Sequence, residues 1–263
     1  MNTDVDRKLY KFMSFYSFVD FIQSGSLNFV RPKVWEDPYE GFIFQKLKTS
    51  EGKKEIETLL KKIPDNNAKS IFCDLALKFE KIFYAQSWSL CSESDAMWRI
   101  YNYENKTVRI EVLESNIRQI DNIKIVDVEY DDKINLEREI EKICLYKDQT
   151  DFMKIYHVKR MAFQHEREVR LIYQNNEAIN QKSQDEIKLF EKALRGTELE
   201  SVLNDITKSY PDILKKDISY IPDFINSVCL HPQAPDWFDL TIRRYCELNK
   251  INYMGKSKLY KPI

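Results

Sequence analysis

The strongest constraint on the fold is a period of two that recurs in short segments. Thr107-Val108-Arg109-Ile110-Glu111-Val112 alternates polar and apolar residues, and Lys124-Ile125-Val126-Asp127-Val128-Glu129-Tyr130 does so again. Strand side chains point alternately to opposite faces, so each segment reads as a half-buried β-strand. Residues 9–13, 27–30, 83–90 and 224–230 read as strands too, and residues 251–254 and 256–260 as a closing strand or pair. Helical spacings lie between them. Phe15, Phe18, Val19 and Ile22 recur at i, i+3, i+4 and i+7, with Ser14 placed to cap and Gly25 to end that helix. After Pro235, Phe238, Thr241, Ile242, Tyr245 and Cys246 mark another. The expected class is α+β, with mixed, largely antiparallel sheets and flanking helices.

Two charged stretches interrupt this pattern. Residues 45–82 are rich in Lys and Glu, with Ile56, Leu59 and Leu60, then Ile71, Leu75 and Phe79, on either side of Pro64-Asp65-Asn66-Asn67. Residues 174–217 turn polar again, with Ile187, Phe190 and Leu194, then Leu199, Leu203 and Ile206, at helical spacing. The organisation expected is one domain, residues 1–263, with helical insertions at about 45–82 and 174–217. A chain of this size can build a core without disulfides or a metal. Its five cysteines are odd in number and never spaced as C-x-x-C, which favours buried, reduced thiols.

Composition removes several function classes. Only five glycines occur, against the roughly 18 that average usage would give, so Gly-rich phosphate loops are not expected. With 41 basic and 42 acidic residues, there is no global field to attract nucleic acid or an anionic membrane. There is no apolar leader, and no run approaches the roughly 18 apolar residues of a membrane span, so a cytoplasmic location without membrane partners is expected. His157, His165 and His231 are too scattered for a metal triad, and no metal is expected.

The sharpest chemical signal is Phe-Gln-His-Glu-Arg-Glu-Val-Arg-Leu-Ile-Tyr at 163–173. Read as one strand, it sets Gln164, Glu166, Glu168 and Arg170 on one face and His165, Arg167, Val169, Leu171 and Tyr173 on the other. Polar at its start and apolar at its end, it runs from a site into a core. Glu166 and Glu168 would have Cα atoms roughly 6.5 to 7 Å apart, with Arg170 holding one carboxylate ionised while repulsion raises its neighbour. Such pairs suit cleavage of a bond to an anomeric carbon. A ladder of cross-strand ion pairs is the alternative.

Two further segments carry candidate groups. The loop at 31–41 holds Arg31, Trp35, Asp37 and Tyr39 between two prolines, either as a site or as a lid over the core. Ser87-Trp88-Ser89 leads into a helix capped by Ser92 or Ser94 that bears Met97, Trp98 and Tyr101. Backbone N–H groups and hydroxyls gathered there suit an anionic or ribose-bearing ligand, although the aromatics also suit an ordinary core.

Leu-Tyr-Lys-Phe-Met-Ser at 9–14, Trp-Glu-Asp-Pro-Tyr-Glu at 35–40, Ser-Asp-Ala-Met-Trp-Arg-Ile-Tyr at 94–101, His-Glu-Arg-Glu-Val-Arg, His-Pro-Gln-Ala at 231–234 and the late Lys-Ser-Lys-Leu-Tyr resemble the bacterial domain of unknown function numbered 2971. That name brings no activity. The order of strand, Gly-ended helix, strand, hydroxyl-bearing strand and late Glu-x-Glu strand is also similar to ADP-ribosyltransferases. This resemblance implies a transferase-like core that binds NAD as a substrate, with no metal. It sets Lys11 or Arg31 at the early basic position, beside Tyr10, where the family carries Arg or His. Ser87 or Ser89 takes the hydroxyl position, and Glu168 is the catalytic glutamate with Glu166 as its partner. Trp35, Trp98, Tyr101 and Arg170 would complete a site for a nucleotide-like small molecule, with protein, nucleic acid or water as acceptor. The other functions expected are a non-catalytic binding module in stress or phage defence, with the Trp35 loop as contact surface, and a hydrolase of another glycosidic or phosphoester bond.

Overall fold

A computed structural model describes residues 6–37, 39–62, 73, 76–77, 80–102, 104–144, 152–175, 211–221 and 223–261. Its strands are β1 (Lys8–Met13), β2 (Ser26–Val30), β3 (Phe83–Ser89), β4 (Val108–Leu113), β5 (Ile123–Asp127), β6 (Glu129–Tyr130), β7 (Val158–Lys159), β8 (Glu168–Gln174), β9 (Ile213–Asp217), β10 (Ser227–Leu230) and β11 (Tyr253–Lys256). Its helices are α1 (Phe15–Ser24), α2 (Phe42–Leu47), α3 (Ser50–Leu60), α4 (Asp95–Ile100), α5 (Glu114–Ile117), α6 (Leu136–Cys144) and α7 (Asp236–Leu248). The fold is mixed α/β, built on a largely antiparallel open sheet.

Local chemistry sets several boundaries. Ser14 accepts the Ser17 N–H at 3.1 Å to start α1, and Gly25 ends it with φ 57°, its N–H donating to Phe21 O. A side chain on Gly25 would sit 3.1 Å from the Ser219 Cβ, so both the backbone angle and the space favour glycine.

Strand β3 is the spine. One of its edges pairs with β8 along its whole length, from Phe83–Gln174 to Ser89–Glu168. Its other edge is shared, because β1 meets it at Tyr10–Ser89 and β2 meets it at Val30–Ala85. The sheet therefore forks. One arm continues β1-β4-β10-β11, the other β2-β9, and β5 lies beyond β8.

The two faces of the sheet pack differently. Leu9, Trp88, Ile110, Val169, Leu171 and Val228 form one core with Phe18 and Phe21 of α1 and Phe238, Ile242 and Cys246 of α7. On the opposite face, Phe83, Ala85 and Ile172 pack against α2, α3 and α6. Tyr10 and Phe12 pack against Met97 and Trp98 of α4 in a separate cluster. A polar patch lies between those two clusters. Among the described residues, no helix is long and apolar enough to cross a membrane.

Several expectations change. Residues 163–173 are not one strand: Met161–Glu166 is a 3-10 turn, Arg167 has φ 44°, and β8 begins at Glu168. Residues 124–130 divide at Val128, and β6 leaves the main sheet to pair with β7. Residues 213–217, at the end of the second polar stretch, are strand β9 against β2 and not part of a helical excursion. The remainder of that stretch, from Ile187 to Ile206, and Ile71, Leu75 and Phe79 in the first, lie outside the described residues.

Candidate functional site

Antiparallel register brings the polar patch together. Ser89 pairs with Glu168 and Ser87 with Arg170, so all four side chains share one face of the sheet. Ser87 Oγ donates to Glu168 Oε1 at 2.5 Å. The Arg170 fork grips the same carboxylate, Nε to Oε1 at 2.8 Å and Nη2 to Oε2 at 3.0 Å. From β7, Lys159 reaches Glu168 at 3.1 Å, Glu166 at 2.8 Å and Glu40 at 3.1 Å. Glu40 also meets Arg170, at 3.0 Å. Arg170 Nη1 donates to Tyr156 O at 2.7 Å, and the Trp35 ring covers the guanidinium at 4.5 Å.

Burial makes these charges interdependent. Arg170 is 0% exposed and Glu168 3%. Burial pushes the Glu168 carboxyl up, but Arg170, Lys159 and the Ser87 hydroxyl more than offset it and hold the group down at about 2. Burial works to lower Lys159, and the surrounding Glu168, Glu40 and Glu166 raise it instead. Glu40 goes the other way, raised by burial against the pull of Arg170 and Lys159. Glu168 is thus ionised at neutral pH and well satisfied by its neighbours. Glu166, with 18% of its side chain exposed, is the more accessible acid.

The fork in the sheet opens beside this cluster. Between its contacts with β1 and β2, β3 leaves the Ser87 carbonyl without a strand partner, and Lys11 Nζ donates to it at 2.8 Å. A cleft of about 340 Å3 fills the fork, lined by Lys11, Ser17, Asn28, Trp35, Gln86 and Ser87 among others. Behind it, a cavity of about 20 Å3 is lined by Lys11, Ser87, Ser89, Glu166 and Glu168, with Tyr10 and Tyr101 at its side. Lys11 and Ser87 border both spaces. Burial lowers the Lys11 amine to about 8, against the upward pull of Glu168.

The structure therefore gathers Tyr10, Lys11, Ser87, Ser89, Tyr101, Glu166 and Glu168 around one cavity, with Arg170 beneath Glu168 and Trp35 at the larger cleft. Ser89 is mainly committed to the turn, donating to Glu166 O and accepting from the Cys91 N–H. Two expected residues do not join. Arg31 follows Val30 onto the opposite face, packs on the Tyr84 ring and lines neither space. Trp98 is fully buried against Phe12, its ring N–H bonded to Glu93, and serves as core. Of the two capping serines weighed, Ser94 caps α4.

Sequence reasoning missed Lys159 and Glu40. Lys159 sits in a two-residue strand with no periodic pattern to reveal it. Glu40 stood in the Trp35 loop, and three acidic residues there offered a signal. Asn28 and Gln86 were hidden as ordinary strand positions, and Gln86 is tied to Asn28 O and the Trp88 ring N–H. Among the described residues, no group of three or more His, Cys, Asp or Glu side chains could hold a metal ion. Chemically, the arrangement offers a fixed anion, a hydroxyl, an accessible carboxylate and the desolvated Lys11 amine between the cavity and the cleft. Comparison with family models, curated proteins and solved structures returns no match.

Proposed function

We propose that the chain is an ADP-ribosyltransferase-like enzyme of the bacterial family it resembles, acting in the cytoplasm on NAD as a substrate. The observation that carries this reading is the ionised Glu168, hydrogen-bonded to Ser87 at the floor of a forked sheet and bordered by Lys11. In this mechanism the nucleotide enters the cleft of about 340 Å3 between β1 and β2, a size suited to a small-molecule ligand. Trp35 offers a flat apolar surface, and Asn28 and Ser17 offer groups for ribose hydroxyls. As nicotinamide departs, positive charge develops at the anomeric carbon, and a fixed carboxylate nearby lowers that barrier electrostatically. In this reading Glu168 supplies the anchored charge, and Glu166 accepts the proton of the incoming acceptor, whether protein, nucleic acid or water.

Nicotinamide release from NAD is the direct assay. Glu168→Gln keeps the shape and removes the charge, so release should fall by about a hundredfold or more; unchanged turnover in a folded variant would reject the assignment.

One observation favours a second reading, a binding module without catalysis, for instance in stress or phage defence. The charge of Glu168 is already shared among Arg170, Lys159 and Ser87, which is how a structural carboxylate is held. Calorimetry with NAD separates the readings: no heat of binding, together with a phenotype that survives Glu168→Gln, selects the module.

A further inference from the structure

Lys11 occupies an unusual position for a lysine. Alternation along β1 sends it to the same side as Leu9 and Met13, which enter the apolar core. The fork allows it to turn instead into the gap beside β3, where its amine takes the place of a missing backbone N–H at Ser87 O. The Trp88 ring lies 5.8 Å from the nitrogen. Among the described residues, no carboxylate lies within 4.0 Å of the amine, and the acid whose charge acts on it, Glu168, is engaged by Arg170 and Lys159. Apart from Lys11, the cleft lining carries no charged side chain. The charged and titratable groups on the cavity side are Glu166, Glu168, Tyr10 and Tyr101.

We propose that Lys11 is a nucleophilic amine that condenses with the open-chain aldehyde of a sugar bound in the cleft. A desolvated lysine without a salt-bridge partner is the kind of amine that forms Schiff bases, because its neutral form is accessible near neutral pH. The amine lowered to about 8 agrees with that geometry. The lone pair of Nζ attacks the carbonyl carbon, and one amine proton passes to the oxygen to give a carbinolamine. The second amine proton leaves with that hydroxyl as water, and a carbon–nitrogen double bond remains. Glu166 lines the same cavity of about 20 Å3, which has room for one water through which both protons can pass to and from its carboxylate. The ligand class follows from the lining: Ser14, Ser17, Ser26 and Asn28 line the cleft with hydroxyl and amide groups that match a polyhydroxy chain.

The inference does not depend on NAD cleavage, since condensation can succeed with nicotinamide release absent, and the reverse. The test is reductive trapping on the full chain with ribose 5-phosphate and cyanoborohydride, read by intact mass and by site-resolved peptide mapping. Lys11 should be labelled about tenfold faster at pH 8 than exposed lysines such as Lys250. Its rate should rise between pH 7 and 9 and level off thereafter, and Lys11→Met should lose the adduct. Because the wild-type chain supplies its own internal comparison, the test stands even if the variant fails to fold. Labelling of Lys11 at the rate of Lys250 would overturn the proposal, as would a rate indifferent to pH over that range. Labelling by glycolaldehyde but not by ribose 5-phosphate would overturn the assignment to a sugar.

Discussion

On one face of β8, Val169, Leu171 and Tyr173 pack into an apolar core, while on the other Glu168 and Arg170 bury opposite charges, although all five are at most 4% exposed. Equal dryness is thus reached by different means. The apolar face gains from removing hydrocarbon from water. The charged face must recover a large desolvation cost through a complete set of partners, and it does so with Lys159, Glu40, Ser87 and the Tyr156 carbonyl. Truncation on the apolar face leaves a cavity, whereas loss of a counter-charge on the other leaves a buried ion uncompensated.

The largest expected effect comes from breaking that set. Arg170→Met leaves Glu168 and Glu40 facing each other without their main counter-charge, and urea unfolding should lose about 3–5 kcal/mol. Leu171→Ala, the neighbour on the apolar face, should cost about 2–5 kcal/mol through lost burial and a cavity. The two differ in their response to acid. Glu168 is depressed to about 2 from an ordinary 4.5, so its contribution is complete above 4.5 and is lost as pH falls toward 2. By linkage that amounts to a loss on the order of 3 kcal/mol. Glu40 acts oppositely: its raised carboxyl takes up a proton sooner in the folded state, which favours folding as pH falls through its own range. Acid unfolding of Leu171→Ala should keep the Glu168 component, and Arg170→Met should flatten it.

Smaller changes sharpen the contrast. Ser87→Ala removes a hydrogen bond to a buried anion and should cost about 1.5–3 kcal/mol, measured by thermal unfolding. Glu166→Gln alters a partly exposed member of the cluster and should cost less than about 1 kcal/mol. A loss at Glu166 as large as that at Arg170 would mean that both acids belong to the structural set, and the division between anchored and accessible carboxylate would fall.

Much of the scaffold was legible because it rests on local rules. Ser14 and Gly25 delimit α1 through capping and the left-handed backbone, and alternation in residues 107–112 gave β4 nearly to the residue. Alternation also set Glu168 and Arg170 on one face, where they are. It failed just before them, since Arg167 takes a left-handed backbone angle that no periodicity reveals, and Glu166 approaches from a turn and not from the strand. Arg31 was expected in the pocket, but a one-residue step from Val30 reverses the face. Lys159 and Glu40 depend on long-range contacts, β7 against β6 and a loop folded over β8, which no spacing within one segment encodes.

The shared edge of β3 has a mechanical consequence. Seven registered pairs join β3 to β8, whereas each arm of the fork is registered to β3 at a single position. The spine is therefore held by backbone pairing along its whole length, whereas each arm is joined to it by little pairing and mainly by the apolar core that both arms share with α1. Backbone hydrogen bonds beside Lys11 are correspondingly sparse, and amide exchange should be slow along β8 and faster where each arm meets the spine.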